Sequence, residues 1–136
     1  MTITPDTQVT DGATASLRLR LAPSDGRYAG GLVAGSKTME LFADLETEIA
    51  LREGGDEGLC VAYDMVEFLA PLKVGDYVEA TARVVRRGRT SRGLHLEVHK
   101  VLTVDEHGLN VPLPEPVLAA RASVTIVVGQ TARERD

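Results

Sequence analysis

One stretch limits the possible folds more than any other. From Tyr28 to Glu48 the chain passes from a loop studded with Gly30, Gly31 and Gly35 into its single long helical pattern, with strand patterns on both sides. Ser36 is a good N-cap residue for that helix. Thr38, Phe42, Leu45 and Ile49 then recur at helical spacing, joined by Met39 and Leu41, so one wide face is apolar. Glu40, Asp44 and Glu48 are four apart and stack on another face, where they repel one another. The pattern runs to about Arg52 and stops at Gly54-Gly55.

Every other patterned segment reads as a strand. Ser16 to Leu21 alternates, with Leu17, Leu19 and Leu21 on one side. After the helix come strands over 59–69, 77–85, 94–104 and 117–128, separated by Pro71 and the Val74-Gly75-Asp76 turn, by Arg86-Arg87-Gly88-Arg89, and by a loop over 105–116 carrying Pro112, Pro114 and Pro116. On the 59–69 strand, Tyr63, Met65, Glu67 and Leu69 are expected to share one face, directed at the helix or a dimer seam. Short connections predict an antiparallel sheet, and a single helix has to cover one of its faces. The expected fold is α+β: a hotdog fold, with a curved antiparallel sheet wrapped around one central helix. Residues 1–13 read as a frayed leader, 14–128 as one domain and 129–136 as a charged tail. The open sheet edges predict at least a homodimer.

Composition narrows the class of function. A net charge of −5 argues against nucleic acid and against a polybasic membrane anchor. No apolar run reaches transmembrane length, and the N-terminus lacks signal-peptide regions, so the expected compartment is the cytoplasm. Cys60 is the only cysteine and lies in a strand pattern, where a buried structural thiol is expected. His95, Glu97 and His99 share a strand face, but no further residue completes a metal site, and no metal is expected.

Three motifs carry a family likeness. They are Tyr28-x-Gly30-x-x-Val33-x-Gly35, then Asp44-x-x-Thr47-Glu48, then Tyr63-x-x-x-Glu67-Phe68-x-Ala70-Pro71-x-x-Val74-Gly75-Asp76. Together they resemble the hotdog-fold β-aminoacyl-CoA ammonia lyases, of the 3-aminobutyryl-CoA and β-alanyl-CoA type. Phe68, Pro71, Gly75 and Asp76 speak to the fold, and Gly88-Arg89-Thr90-Ser91 is similarly generic among CoA-using members. Tyr28, Asp44, Glu48 and Glu67 together point to the lyases.

The resemblance implies reversible loss of ammonia from a 3-aminoacyl-CoA to give a 2-enoyl-CoA. The CoA thioester is the substrate, and no cofactor is expected. Asp44 and Glu48 would divide the roles of base and ammonium ligand, with the assignment open between them, while Glu67 and Tyr28 complete the set. Free backbone N–H groups around Gly35 to Thr38 would face the thioester oxygen, and Gly30, Gly31 and Gly35 would let the pantetheine and thioester approach the backbone closely, with Val33 and Ser36 in the same substrate-binding set. Arg86, Arg87, Gly88, Thr90 and Ser91 would meet the CoA phosphates. The same residues also admit plainer readings as a tight loop, a solvated acidic face and a charged hairpin. A thioesterase or a non-catalytic acyl-CoA-binding protein are the alternative functions.

Overall fold

A computed structural model of the chain describes residues 7–129, so much of the expected leader and nearly all of the expected tail lie outside the described residues. The elements are β1 (Thr7–Gln8), β2 (Thr14–Arg20), β3 (Gly26–Tyr28), β4 (Leu32–Val33), α1 (Gly35–Gly54), β5 (Leu59–Phe68), β6 (Tyr77–Arg87), β7 (Ser91–Val104) and β8 (Asn110–Val127). The main sheet runs β1/β2–β6–β7–β8–β5, antiparallel throughout, and β3 pairs with β4 in a small hairpin. Because β2 and β5 occupy opposite edges, α1 has to cross the whole sheet to connect them. This is the expected hotdog arrangement.

The core follows from two periodicities meeting. Phe42, Leu45 and Ile49 of α1 are buried against the inward residues Val78, Ala80, Leu94, Leu96, Val98, Ala122 and Val124. Alanines at positions 80, 82, 120 and 122 keep the sheet surface low beneath the helix. Each large apolar side chain buried there contributes about 1.5–3 kcal/mol. The turn before β6 is fixed by Asp76, fully buried, which accepts from Lys73 N (2.8 Å) and Thr103 Oγ1 (3.1 Å) and lies 3.3 Å from Lys100 Nζ.

Four local expectations change. The helix begins two residues earlier than expected, with Ala34 at the N-cap and no side-chain cap bond, so Ser36 lies inside the first turn. Val33 N–H bonds Leu72 O (2.9 Å), which holds the chain extended up to Ala34. Residues 7–13 do not fray where described: Thr7 and Gln8 pair with Arg87 and Arg86 of β6, and Val9 N–H bonds Val85 O at 3.0 Å. The proline-bearing segment belongs to β8, since Leu102 pairs with Pro112 and Val104 with Asn110. Pairing with β5 reaches only as far as Ala120, so this half of β8 has one open edge where a missing N–H costs little.

The fourth change concerns β5. Register shifts between Cys60 and Ala62 and between Tyr63 and Met65 break the simple alternation. Tyr63 and Val66 both pack on the core, whereas Glu67 stands opposite Arg121. Arg121 alternates with the buried Ala120 and Ala122, so Glu67 is on the sheet face away from α1.

Candidate active site

The start of α1 offers free donors. Lys37 N–H already bonds Ala34 O (3.0 Å), which leaves the N–H groups of Gly35 and Ser36 with no helical acceptor. Beside them is a cavity of about 310 Å³ whose lining includes Val33, Gly35, Thr38, Phe68, Pro71 and Leu72. Its walls are largely apolar, and the helix dipole favours negative charge at its mouth. Gly35 lets the Phe68 ring approach closely: a Cβ would stand 3.0 Å from it. Gly30 and Gly31 both have φ of +75°, so they serve the turn between β3 and β4. Of the three glycines, Gly35 alone borders this cavity.

The four expected acid–base residues do not converge within one chain. Asp44 is exposed on the side of α1 away from the sheet. Glu48 shares that side and accepts from Arg52 Nε at 2.9 Å. Glu67 accepts from Arg121 Nε at 2.9 Å on the far side of the sheet, so of the two expected orientations, towards the helix or towards a dimer seam, the first is overturned. Tyr28 ends β3 and is 62% exposed.

Nor does the arginine cluster form an open phosphate cradle. Arg87 Nε and Nη2 grip Glu53 at 2.7 and 2.8 Å, and Arg92 Nε reaches the same carboxylate at 2.7 Å. These contacts hold the Glu53 carboxyl below the usual range, with the Arg87 hydrogen bond as the main cause. Arg86 Nη2 donates to Thr125 Oγ1 at 2.9 Å. Gly88 N–H bonds Ser91 O, and Thr90 O accepts from Val128 N–H. Arg89 is exposed at the tip of this turn. On the outer sheet face, His95 Nε2 is 3.0 Å from Glu97 Oε2.

One functional candidate escaped the sequence reading. Glu46 is 5% exposed, and its Oε2 accepts from Tyr63 Oη. Burial raises its pKa, opposed by hydrogen bonds from Tyr63 and Cys60. A signal was present: Glu46 stands four residues from Phe42 and three from Ile49, inside the apolar stripe, where a carboxylate needs a reason. Cys60, expected to be buried, is exposed on the edge strand. Its thiol is pushed up to about 11 by desolvation and the neighbouring Glu46, so it is no ready nucleophile.

Helix, sheet order and the cavity at the helix start define a hotdog protein, and residues 30–101 match the family model described as Thioesterase superfamily. A hexameric thioesterase from Yersinia pestis has the same fold, with a TM-score of 0.71 at 24% identity over 91% of this chain and 93% of that one. The β-alanyl-CoA:ammonia lyase from Clostridium propionicum superposes more closely, with a TM-score of 0.83 at 26% identity over 88% of this chain and 87% of that one. The 3-aminobutyryl-CoA ammonia lyase of Acetoanaerobium sticklandii is 41% identical over 116 residues, 82% of this chain and 91% of that enzyme. The chain belongs to this ammonia-lyase family within the thioesterase superfamily.

Proposed function

We propose that this enzyme reversibly eliminates ammonia from a 3-aminoacyl-CoA of the 3-aminobutyryl or β-alanyl type, giving a 2-enoyl-CoA. The observation that carries the reading is the 41% identity to the 3-aminobutyryl-CoA ammonia lyase along most of both chains. Three tasks have to be met. The enolate-like charge on the thioester oxygen falls to the free N–H groups of Gly35 and Ser36 at the start of α1. The apolar cavity bordered by Thr38 and Phe68 holds the acyl end. Asp44 or Glu48 removes the proton beside the carbonyl, and the other faces the leaving amine. Arg89, exposed at its turn, is the arginine placed to meet CoA phosphate, because Arg87 and Arg92 already bind Glu53. The reaction uses no cofactor beyond the CoA that the substrate carries.

The open edge of β5 supports a homo-oligomer. Leu59, Val61, Phe68 and Leu69 are exposed large apolar residues on or just beyond that strand, which pairs on one side only. A second copy would cover them and bring its own residues towards Asp44 and Glu48. No helix among the described residues is long and apolar enough to cross a membrane. With a single cysteine and CoA chemistry, the cytoplasm is the proposed compartment.

The test is an absorbance assay with crotonyl-CoA and acrylyl-CoA plus ammonium, run beside a free-thiol assay. Loss of the enoyl-thioester band only with ammonium, and without thiol, is the expected result. Ammonium-independent thiol release would instead identify a thioesterase.

A further inference from the structure

Thr38 falls within the apolar stripe of α1 yet carries a hydroxyl, and it is only 2% exposed. A helical threonine commonly returns its proton to the carbonyl one turn back, as Thr47 does to Ala43 O at 2.9 Å. Thr38 makes no such bond: among the described residues its hydroxyl has no hydrogen-bond partner. No side-chain polar atom sealed from solvent among those residues lacks a partner, so the Thr38 oxygen opens into the cavity that it borders at the helix start. Every other residue lining that cavity is apolar or glycine, which makes Thr38 its one polar side chain. A bare hydroxyl in an apolar wall is costly unless a ligand completes it.

We propose that Thr38 Oγ1 donates a hydrogen bond to the thioester oxygen, as a third donor beside the free N–H groups of Gly35 and Ser36. The ligand's identity rests on the lyase reading. Position is the physical reason. Side chains on a helix lean towards its N-terminus, so Thr38, three residues after Gly35, leans back over the first turn. Gly35 and Thr38 border the same cavity, where one carbonyl can meet both. A hydroxyl has one proton to give, and the thioester oxygen is the atom that gains negative charge. As the base takes the proton from C2, the electron pair shifts onto that oxygen. It returns to form the C2–C3 double bond as the C3–N bond breaks with its pair on nitrogen. Thr38 keeps its own proton throughout.

The test uses crotonyl-CoA isotopically labelled at its carbonyl carbon, bound without ammonium to wild type, Thr38→Val and Thr38→Ser. Infrared difference spectra read the carbonyl stretch, which a donated hydrogen bond lowers. Valine keeps the shape and removes the hydroxyl, whereas serine keeps the hydroxyl. The band is expected to move upward in Thr38→Val and to stay near the wild-type position in Thr38→Ser. With ammonium present, kcat for Thr38→Val should fall by about a hundredfold, the scale of one lost oxyanion donor, with KM little changed. Thr38→Ser should recover most of that loss. A band that does not move in Thr38→Val overturns the proposal, as does a kcat that this variant retains or an equal loss in Thr38→Ser. A merely structural role would not move the band. A wild type that shows the Thr38-dependent band but never adds ammonia would sink the lyase reading and leave the carbonyl contact standing. Should Thr38→Val fail to fold, Thr38→Cys, whose thiol is a weak donor, has to show the same upward shift.

Discussion

Arg87 and Glu53 meet as a bidentate pair, Nε and Nη2 lying 2.7 and 2.8 Å from the two carboxylate oxygens. The pair ties the last turn of α1 to the β6–β7 hairpin, with Arg92 as a second anchor.

Replacing Glu53 should therefore loosen the end of the helix. Glu53→Gln is expected to cost about 1–3 kcal/mol near neutral pH, discounted because Arg87 is partly exposed. The folded carboxyl titrates below its unfolded value. Its stabilisation is thus complete above the unfolded Glu pKa of about 4.3 and is lost as pH falls through the folded one. Urea melts across that acid range should be steeper in pH for wild type than for the variant. Identical slopes would show that the pair contributes nothing.

At Gly35 two effects oppose each other. Alanine improves helix propensity by about 1 kcal/mol, yet its Cβ would press on the Phe68 ring at 3.0 Å. Phe68 is more than half exposed and has room to yield. Gly35→Ala should leave the melting temperature nearly unchanged and raise KM for the acyl-CoA. An unaltered KM would place the thioester elsewhere.

Asp44→Asn and Glu48→Gln test the proposed acid–base pair. Neither residue is buried, so both variants should fold normally. At least one should lower kcat by about a hundredfold or more, the usual scale of general acid–base catalysis. Near-normal turnover by both would remove the pair from the mechanism.

Val61→Lys addresses the open edge. Val61 is 59% exposed on β5, and a lysine there is a common way to block strand pairing. Sedimentation should show an oligomer for wild type and a smaller species for the variant. A wild-type monomer would refute the proposed assembly.

Much of the architecture was legible because it depends on periodicity. The α1 stripe of Phe42, Leu45 and Ile49 and the alternation of Val78, Ala80, Ala82 and Val84 follow from 3.6- and 2-residue repeats that burial enforces. Gly55 ends α1 in a left-handed conformation, with its N–H on Leu51 O, as the Gly54-Gly55 pair predicts. The three prolines misled because a proline forbids a strand only where its N–H is needed. An open edge does not need it.

What the sequence by itself determined was the long helix and the five long strands, the helix-on-sheet layering and the family, because local repeats and motifs carry them, whereas the short strands β1, β3 and β4 came only with the fold. Tertiary structure decided the partners. The β5 register shifts turned Glu67 away from α1 and brought Tyr63 to Glu46. Folding also committed Arg87 and Arg92 to Glu53 across separations of 34 and 39 residues. Such pairings depend on which faces meet once the chain is packed, and the spacing of residues along the chain does not encode that directly.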